Sequence, residues 1–262
     1  MTLAEEGCEA IEQVLVTAAK YSGNQQSHKK QLSASQLGND DLQIYLKYMH
    51  GGKDSSHFEA NTFGSIYHLG AEVAFKDIPG AETEVPLQYA LSNGWLITGT
   101  VDLLWDKYKM IADHKTTTAT SIGSTVKDGK HSSHGLQMAV YQWLLWKNRN
   151  ISNYTAVLPM VDKSFSYFKK NKYNQLNFII IDTHSMEDIE QMLLDKTNQL
   201  QQYIDLEQQP PECENLFWYG PKGGRRKKMR CLHYCDQADH CDAFQNGGQG
   251  AKAKRSELLD LL

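Results

Sequence analysis

The chain has 262 residues, 40% of them apolar and 22% charged, an ordinary composition with room for one large domain and a small appendage. The formal net charge of −4 excludes a molecule that grips nucleic acid by bulk charge, so any such contact must come from a local patch. No apolar run approaches the roughly 18 residues of a membrane span, and residues 1–20 carry Glu5, Glu6, Glu9 and Glu12 where a secretion signal would have a basic start and an apolar core.

In chain order, residues 3–20 have helical spacing, with Ile11, Val14, Leu15 and Ala18 on one side. Residues 20–30 are polar and predict a loop. Ser35 is placed to cap a helix running to about residue 49, and residues 51–56 break it. Residues 60–75 predict the next helix. The pattern then changes to three strands, 83–91, 95–105 and 109–114. Ser92-Asn93-Gly94 is a hairpin turn and Asp106-Lys107 a second tight turn. Residues 116–132, rich in Ser, Thr and Gly, predict an unusually long loop of functional character. A helix at 134–146 buries Leu136, Val140, Trp143 and Leu144. Strands follow at 154–160, 165–169 and 177–182. Ser185, with Asp188 three residues on, opens a long helix to about residue 206, which Pro210-Pro211 ends. The order predicts an α/β fold, a mixed sheet flanked by helices.

Two strands carry chemistry. Asp102 lies on the second, and Asp113 and Lys115 close the third. Spaced by two, Asp113 and Lys115 face one side, and a tight turn between the strands sets Asp102 beside them. Two carboxylates can hold a hard divalent cation, and a lysine beside it can orient or deprotonate water; together these are the needs of phosphodiester hydrolysis.

Asp102 followed by Asp113-His114-Lys115-Thr116 resembles the PD-(D/E)XK nuclease superfamily, in its RecB-like and phage exonuclease branches. Three more segments match in order. Leu32-Ser33-Ala34-Ser35-Gln36-Leu37 resembles a Ser-x-Ser helix start; Gly64, His68 and Glu72 match Gly-x-x-x-His-x-x-x-Glu; Gln137 and Tyr141 match Gln-x-x-x-Tyr. The resemblance implies a restriction-endonuclease-like core over residues 32–206, a helical N-terminal extension over 1–31 and a Cys-rich, basic tail over 207–262. It implies Mg²⁺ or Mn²⁺ held by His68, Asp102, Asp113, Glu72 and the His114 carbonyl. Catalysis would use Asp102, Asp113, Lys115, Gln137 and Tyr141, with Thr116 and Thr117 toward phosphate. The implied activity is a DNA nuclease, an exonuclease in phage-type replication, recombination or repair. A structure-specific endonuclease and a non-catalytic DNA-binding scaffold are the alternatives. The implied partners are DNA and a single-strand annealing or other recombination protein, with the oligomeric state open.

The five cysteines are Cys8, Cys213, Cys231, Cys235 and Cys241. An odd count argues for a reducing compartment, the cytoplasm (a host's, for a phage-encoded chain), rather than a disulfide framework. Cys231, Cys235 and Cys241 lie close together among His233 and His240, a soft-metal pattern. Some RecB-like nucleases hold an iron–sulfur cluster with tail cysteines, but the usual N-terminal cysteine is missing between residues 41 and 50. The pattern suits a four-iron cluster or zinc, with Cys213 or Cys8 as fourth ligand, or a histidine in its place on zinc. Just ahead, Arg225, Arg226, Lys227 and Lys228 form a basic run suited to a DNA backbone.

Overall fold

The sheet is organised around one hairpin. In this computed structural model, which describes residues 30–51, 58–163, 175–213, 218–219, 227–228, 235, 237–242 and 244, β2 (Ala81–Ala90) and β3 (Leu96–Trp105) pair antiparallel along their whole length. Val85 and Leu87 point into the core and Glu82, Glu84, Pro86 and Gln88 point out, the alternation expected of a strand with one buried face. The turn is closed by Gly94 at φ +83, a conformation open to glycine, and by the Asn93 side chain accepting from the Trp95 amide at 3.2 Å.

On its other edge β3 takes two partners. β1 (Gln31–Ser33) pairs parallel with Leu96–Thr98, and β4 (Met110–Ala112) pairs antiparallel with Leu103–Trp105. The turn between β3 and β4 is a 3-10 turn over Asp106–Tyr108 with Lys109 left-handed at φ +48. A single strand through residue 114 was expected; instead the chain parts from β3 after Ala112. It resumes as β5 (Lys115–Thr117), and β4 and β5 both run parallel to β6 (Thr155–Asp162). The antiparallel edge strand β7 (Leu176–Ile181) completes a seven-stranded mixed sheet among the described residues. The strand expected at 165–169 and the helix expected at 3–20 lie outside the described residues.

Two compact units are present, one formed by residues 1–38 and 56–197, the other by residues 39–55 and 198–262. This division differs from the segments 1–31, 32–206 and 207–262 read from the sequence. The first unit holds the sheet, with α2 (Phe58–Phe75), α3 (Ala119–Asp128), α4 (Ser133–Arg149) and α5 (Met186–Asp205) through Thr197. Its core is Leu32, Ile97, Val101, Ile111, Met138, Trp143, Leu144 and Leu158, each at most 1% exposed. The second unit packs Leu42, Tyr45 and Leu46 of α1 (Asp41–His50) against Ala238, Cys241 and Phe244. Its Lys227–Lys228 strand pairs with Trp218–Tyr219.

Two further expectations are corrected. The helix expected from Ser35 starts at Asp41, because the Gln36 side chain accepts from the Ser33 amide at 2.9 Å and closes a separate 3-10 turn over Ala34–Gln36. The long loop at 116–132 contains α3. Thr118 caps it by accepting from the Ser121 amide, Ile122 and Thr125 are buried, and Gly129 at φ +51 ends it. Helix-poor Ser, Thr and Gly form this helix because burying Ile122 outweighs weak local propensity.

Candidate active site

The parting of β3 and β4 builds the site. Leu103 faces Ala112, so Asp102 and Asp113 would be the next pair in register. The ladder opens there instead, and the His114 amide donates to Asp102 Oδ2 at 2.6 Å in place of a ladder bond. On the other side of β3, Thr83 faces Leu103 and Val85 faces Val101, which sets Glu84 opposite Asp102. Glu84 is left-handed at φ +51 in mid-strand and forms no ladder pair there. Such a conformation is costly for a residue with a Cβ and is a mark of functional sites. Glu84 and Asp102 are thus level with each other, and Asp113 follows the last residue of β4.

Asp113 sits in a closed setting. Lys115 Nζ is 2.6 Å from its Oδ2, and Gln137 Nε2 donates to its Oδ1 at 3.1 Å and to the Tyr141 hydroxyl at 2.7 Å. Gln137 and Tyr141, one helical turn apart on α4, share the face turned to the sheet, and both are buried. Tyr141 reaches in because residue 99 is glycine; a Cβ there would stand 2.6 Å from Tyr141 Cε1. Burial pushes the Asp113 carboxyl above its ordinary range, and Lys115 opposes that. Burial likewise drives the Tyr141 hydroxyl well upward, and the Asp113 charge adds to it. The Gln-x-x-x-Tyr pair therefore engages Asp113 rather than Lys115.

Asp102 sits in a more open setting. His68 Nδ1, on α2, is 3.3 Å from Asp102 Oδ2, and His114 Nδ1 is 3.7 Å away. Burial alone would raise the Asp102 carboxyl, but the hydrogen bonds from His114 and His68 outweigh it and hold the group ionised well below the usual range. The same contact with Asp102 raises His68, against the opposing effect of burial. His68, Glu84 and Asp102 bring their ligand atoms within 4.8 Å of one another. Glu84 is exposed as a residue, yet desolvation of its carboxyl and then the Asp102 charge raise its titration. Glu72, four residues after His68, stands outside that group and acts on Glu84 through its charge. Tyr67 packs edge-on to the His114 ring at 5.8 Å.

Glu84 is the residue sequence reasoning missed, although a signal existed. A hairpin turning at residues 92–94 sets Ala90 against Leu96, and counting back brings Glu84 to Asp102. A second such residue is His134, one turn before Gln137 on α4. Its Nδ1 lies 3.4 Å from the buried Thr125 Oγ1, and burial, then the Lys115 charge, push it down to about 4. Thr116 lies on β5 with its Oγ1 3.3 Å from where a Gly64 Cβ would stand, so glycine at 64 lets α2 approach β5; Thr117 pairs with Asp162.

In the second unit Cys213 and Cys235 pack against the cluster that buries Cys241. Cys231, Arg225 and Arg226 lie outside the described residues, while Lys227 and Lys228 are in the small hairpin.

No curated protein matches this sequence. Among solved structures, that of SSO0001 is similar over 89% of this chain and 96% of its own, at 16% identity and a TM-score of 0.58. A phage-related exonuclease from Haemophilus somnus 129PT is similar over 69% of this chain and 97% of its own, at 13% identity and a TM-score of 0.45. The sequence itself matches the PD-(D/E)XK nuclease superfamily over residues 73–242, a span that holds Glu84, Asp102, Asp113, Lys115, Gln137 and Tyr141. A match over well over half its length, on a mixed sheet that gathers those side chains, makes this chain a member of the PD-(D/E)XK nuclease superfamily.

Proposed function

We propose that this chain hydrolyses DNA phosphodiester bonds with Mg²⁺ or Mn²⁺ and works as an exonuclease in phage-type replication, recombination or repair, alongside a single-strand annealing or other recombination protein. One observation carries the reading: the Lys115 ammonium, 2.6 Å from the Asp113 carboxylate, adjoins a separate group formed by His68, Glu84 and Asp102. An ordinary surface ion pair has no such neighbours. The exonuclease role rests on the resemblance of the Gly64-His68-Glu72 and Gln137-Tyr141 motifs.

The donor set fits a small divalent cation. Two carboxylates and an imidazole face one point, with an oxygen majority suited to Mg²⁺ and a nitrogen that favours Mn²⁺. His68, Glu84 and Asp102 would hold it, with Asp113 and the His114 carbonyl as further ligands. When bound, the cation offsets phosphate charge and acidifies water. The chain's own groups do the rest. Lys115 orients the attacking water and donates to a phosphoryl oxygen. Gln137, steadied by Tyr141, keeps the Asp113 carboxylate turned toward Lys115. His114, through its amide, and His68 keep Asp102 ionised.

End-labelled linear and closed circular DNA, incubated with Mg²⁺ or Mn²⁺, test the reading. Loss of the linear form alone is expected. Cutting of the circle would make the enzyme an endonuclease, and no cutting of either by well-folded protein would return it to a scaffold. For the tail we propose a structural four-iron cluster or zinc on Cys213, Cys231, Cys235 and Cys241, supported by the packing of Cys213, Cys235 and Cys241 in one cluster. Neither metal near one equivalent per chain, in anaerobically purified protein, would leave them as plain thiols.

A further inference from the structure

A nuclease with a net charge of −4 must hold a polyanion at particular places. One such place lies at the N-terminal end of α4, the helix that carries Gln137 and Tyr141. The 3-10 turn Gly129–His131 presents Lys130 and His131 and is locked onto that helix. Ser132 Oγ donates to the Gly129 carbonyl at 2.7 Å and accepts from the Gly135 amide at 2.9 Å. Residue 135 must be glycine for this packing, because a Cβ there would overlap the Gly129 carbonyl oxygen. From the segment before α5, His184 brings its ring edge-on to His131, centroids 5.3 Å apart. His184 is thus tied to a rigid turn, its Nε2 buried and without a hydrogen-bond partner.

Burial, then Lys130, then His131 oppose protonation of His184, while a hydrogen bond to the Lys130 backbone and then Asp188 at the start of α5 favour it. Deeper along α4, His134 feels Lys115 in the same way. Lys115 and Lys130 thus place positive charge beside His134 and His184 respectively. By helical rise, four residues from Ser133 to Gln137 span about 6 Å, so the start of the helix stands about two nucleotide steps from Gln137.

We propose that Lys130 and His131, backed by His184, form the docking point for the DNA backbone flanking the cleaved bond, contacting phosphates without reading bases. This rests on the nuclease reading above. Phosphate would pair with the Lys130 ammonium, and a turn fixed by Ser132 and Gly135 holds that contact at the start of the helix that carries Gln137. Contacts of this kind set position and affinity, not sequence preference.

The test is binding of a short fluorescent duplex in EDTA, measured by anisotropy across a KCl series. The Lys130→Ala/His131→Ala double variant should bind about tenfold more weakly at low salt, and the slope of log Kd against log salt should fall by about one. In Mg²⁺ its KM for DNA should rise more than its kcat falls. His184→Gln is a second, milder variant with a smaller change in the same direction. Lys76→Ala, an exposed lysine just after α2, removes one charge elsewhere. Unchanged Kd and slope in folded double variant, or an equal loss in Lys76→Ala, overturns the proposal. Wild-type protein that binds with the expected slope but never cuts would sink the nuclease reading and leave the docking point standing.

Discussion

The two aspartates of the site differ in how they are kept. Asp113 is walled in: its side chain is 3% exposed, its acceptors are taken by Lys115 and Gln137, and Tyr141 backs Gln137. Asp102 faces the open half, beside a His68 side chain that is 32% exposed and an exposed Glu84. Both lie at the point where two strands separate, so topology alone does not distinguish them. What differs is the covering helix. α4 brings a buried amide and phenol, and α2 brings an imidazole that solvent reaches. The closed half fixes a lysine and a carboxylate in one geometry, and the open half leaves its groups within reach of solvent.

If that contrast is right, damage to the closed half should abolish chemistry. Lys115→Ala should lower the cleavage rate about a thousandfold or more, about 4 kcal/mol in the barrier, with DNA affinity far less affected. Asp113→Asn should do the same. Either variant cutting within tenfold of wild type would remove the closed half from catalysis.

His134 tests the closure by pH. Its ordinary value is 6.5 and the fold pushes it to about 4. Between those values the unfolded chain holds more protons than the folded one, so its contribution to stability is fully present above pH 6.5 and is lost as pH falls toward 4. The loss amounts to at most about 3 kcal/mol. Urea unfolding at pH 7 and pH 5 should show that extra decline in wild type and not in His134→Asn. Parallel pH dependences would place His134 in water.

Gly99→Ala probes the seat of Tyr141. A methyl would stand 2.6 Å from Tyr141 Cε1 and 3.3 Å from Ala34 Cβ, and such overpacking costs about 1–3 kcal/mol. Melting should report the loss, and activity should fall with it as Gln137 shifts. An unchanged melting temperature would mean the aromatic ring moves freely and closure is loose.

The open half should fail more gently. Glu84→Gln should raise the Mn²⁺ or Mg²⁺ concentration for half-maximal cleavage about tenfold, near 1.4 kcal/mol, with the saturated rate less affected. His68→Ala should shift the same titration. A metal titration unchanged in Glu84→Gln would take Glu84 out of the cation site, whatever its register with Asp102.

Much was settled by the order of residues alone. Asp102, Asp113 and Lys115 were legible because strand period and a short turn confine them to neighbouring positions, and His68 with Glu72, or Gln137 with Tyr141, because a four-residue step shares a helix face. These are local rules; Gln137 and Tyr141 do share one face, while Glu72 stands outside the group that His68 joins. Tertiary structure decided the rest. α3 forms from Ser, Thr and Gly because Ile122 and Thr125 find a core to enter. β4 and β5 are separate strands because both pair with β6, which arrives some forty residues later in the chain. Glu84 joins the site through a left-handed mid-strand turn that no propensity favours, and His131 meets His184 across more than fifty residues. Local pattern encodes which face a side chain takes. Which faces meet depends on burial summed over the whole fold, and no short window of sequence contains that sum.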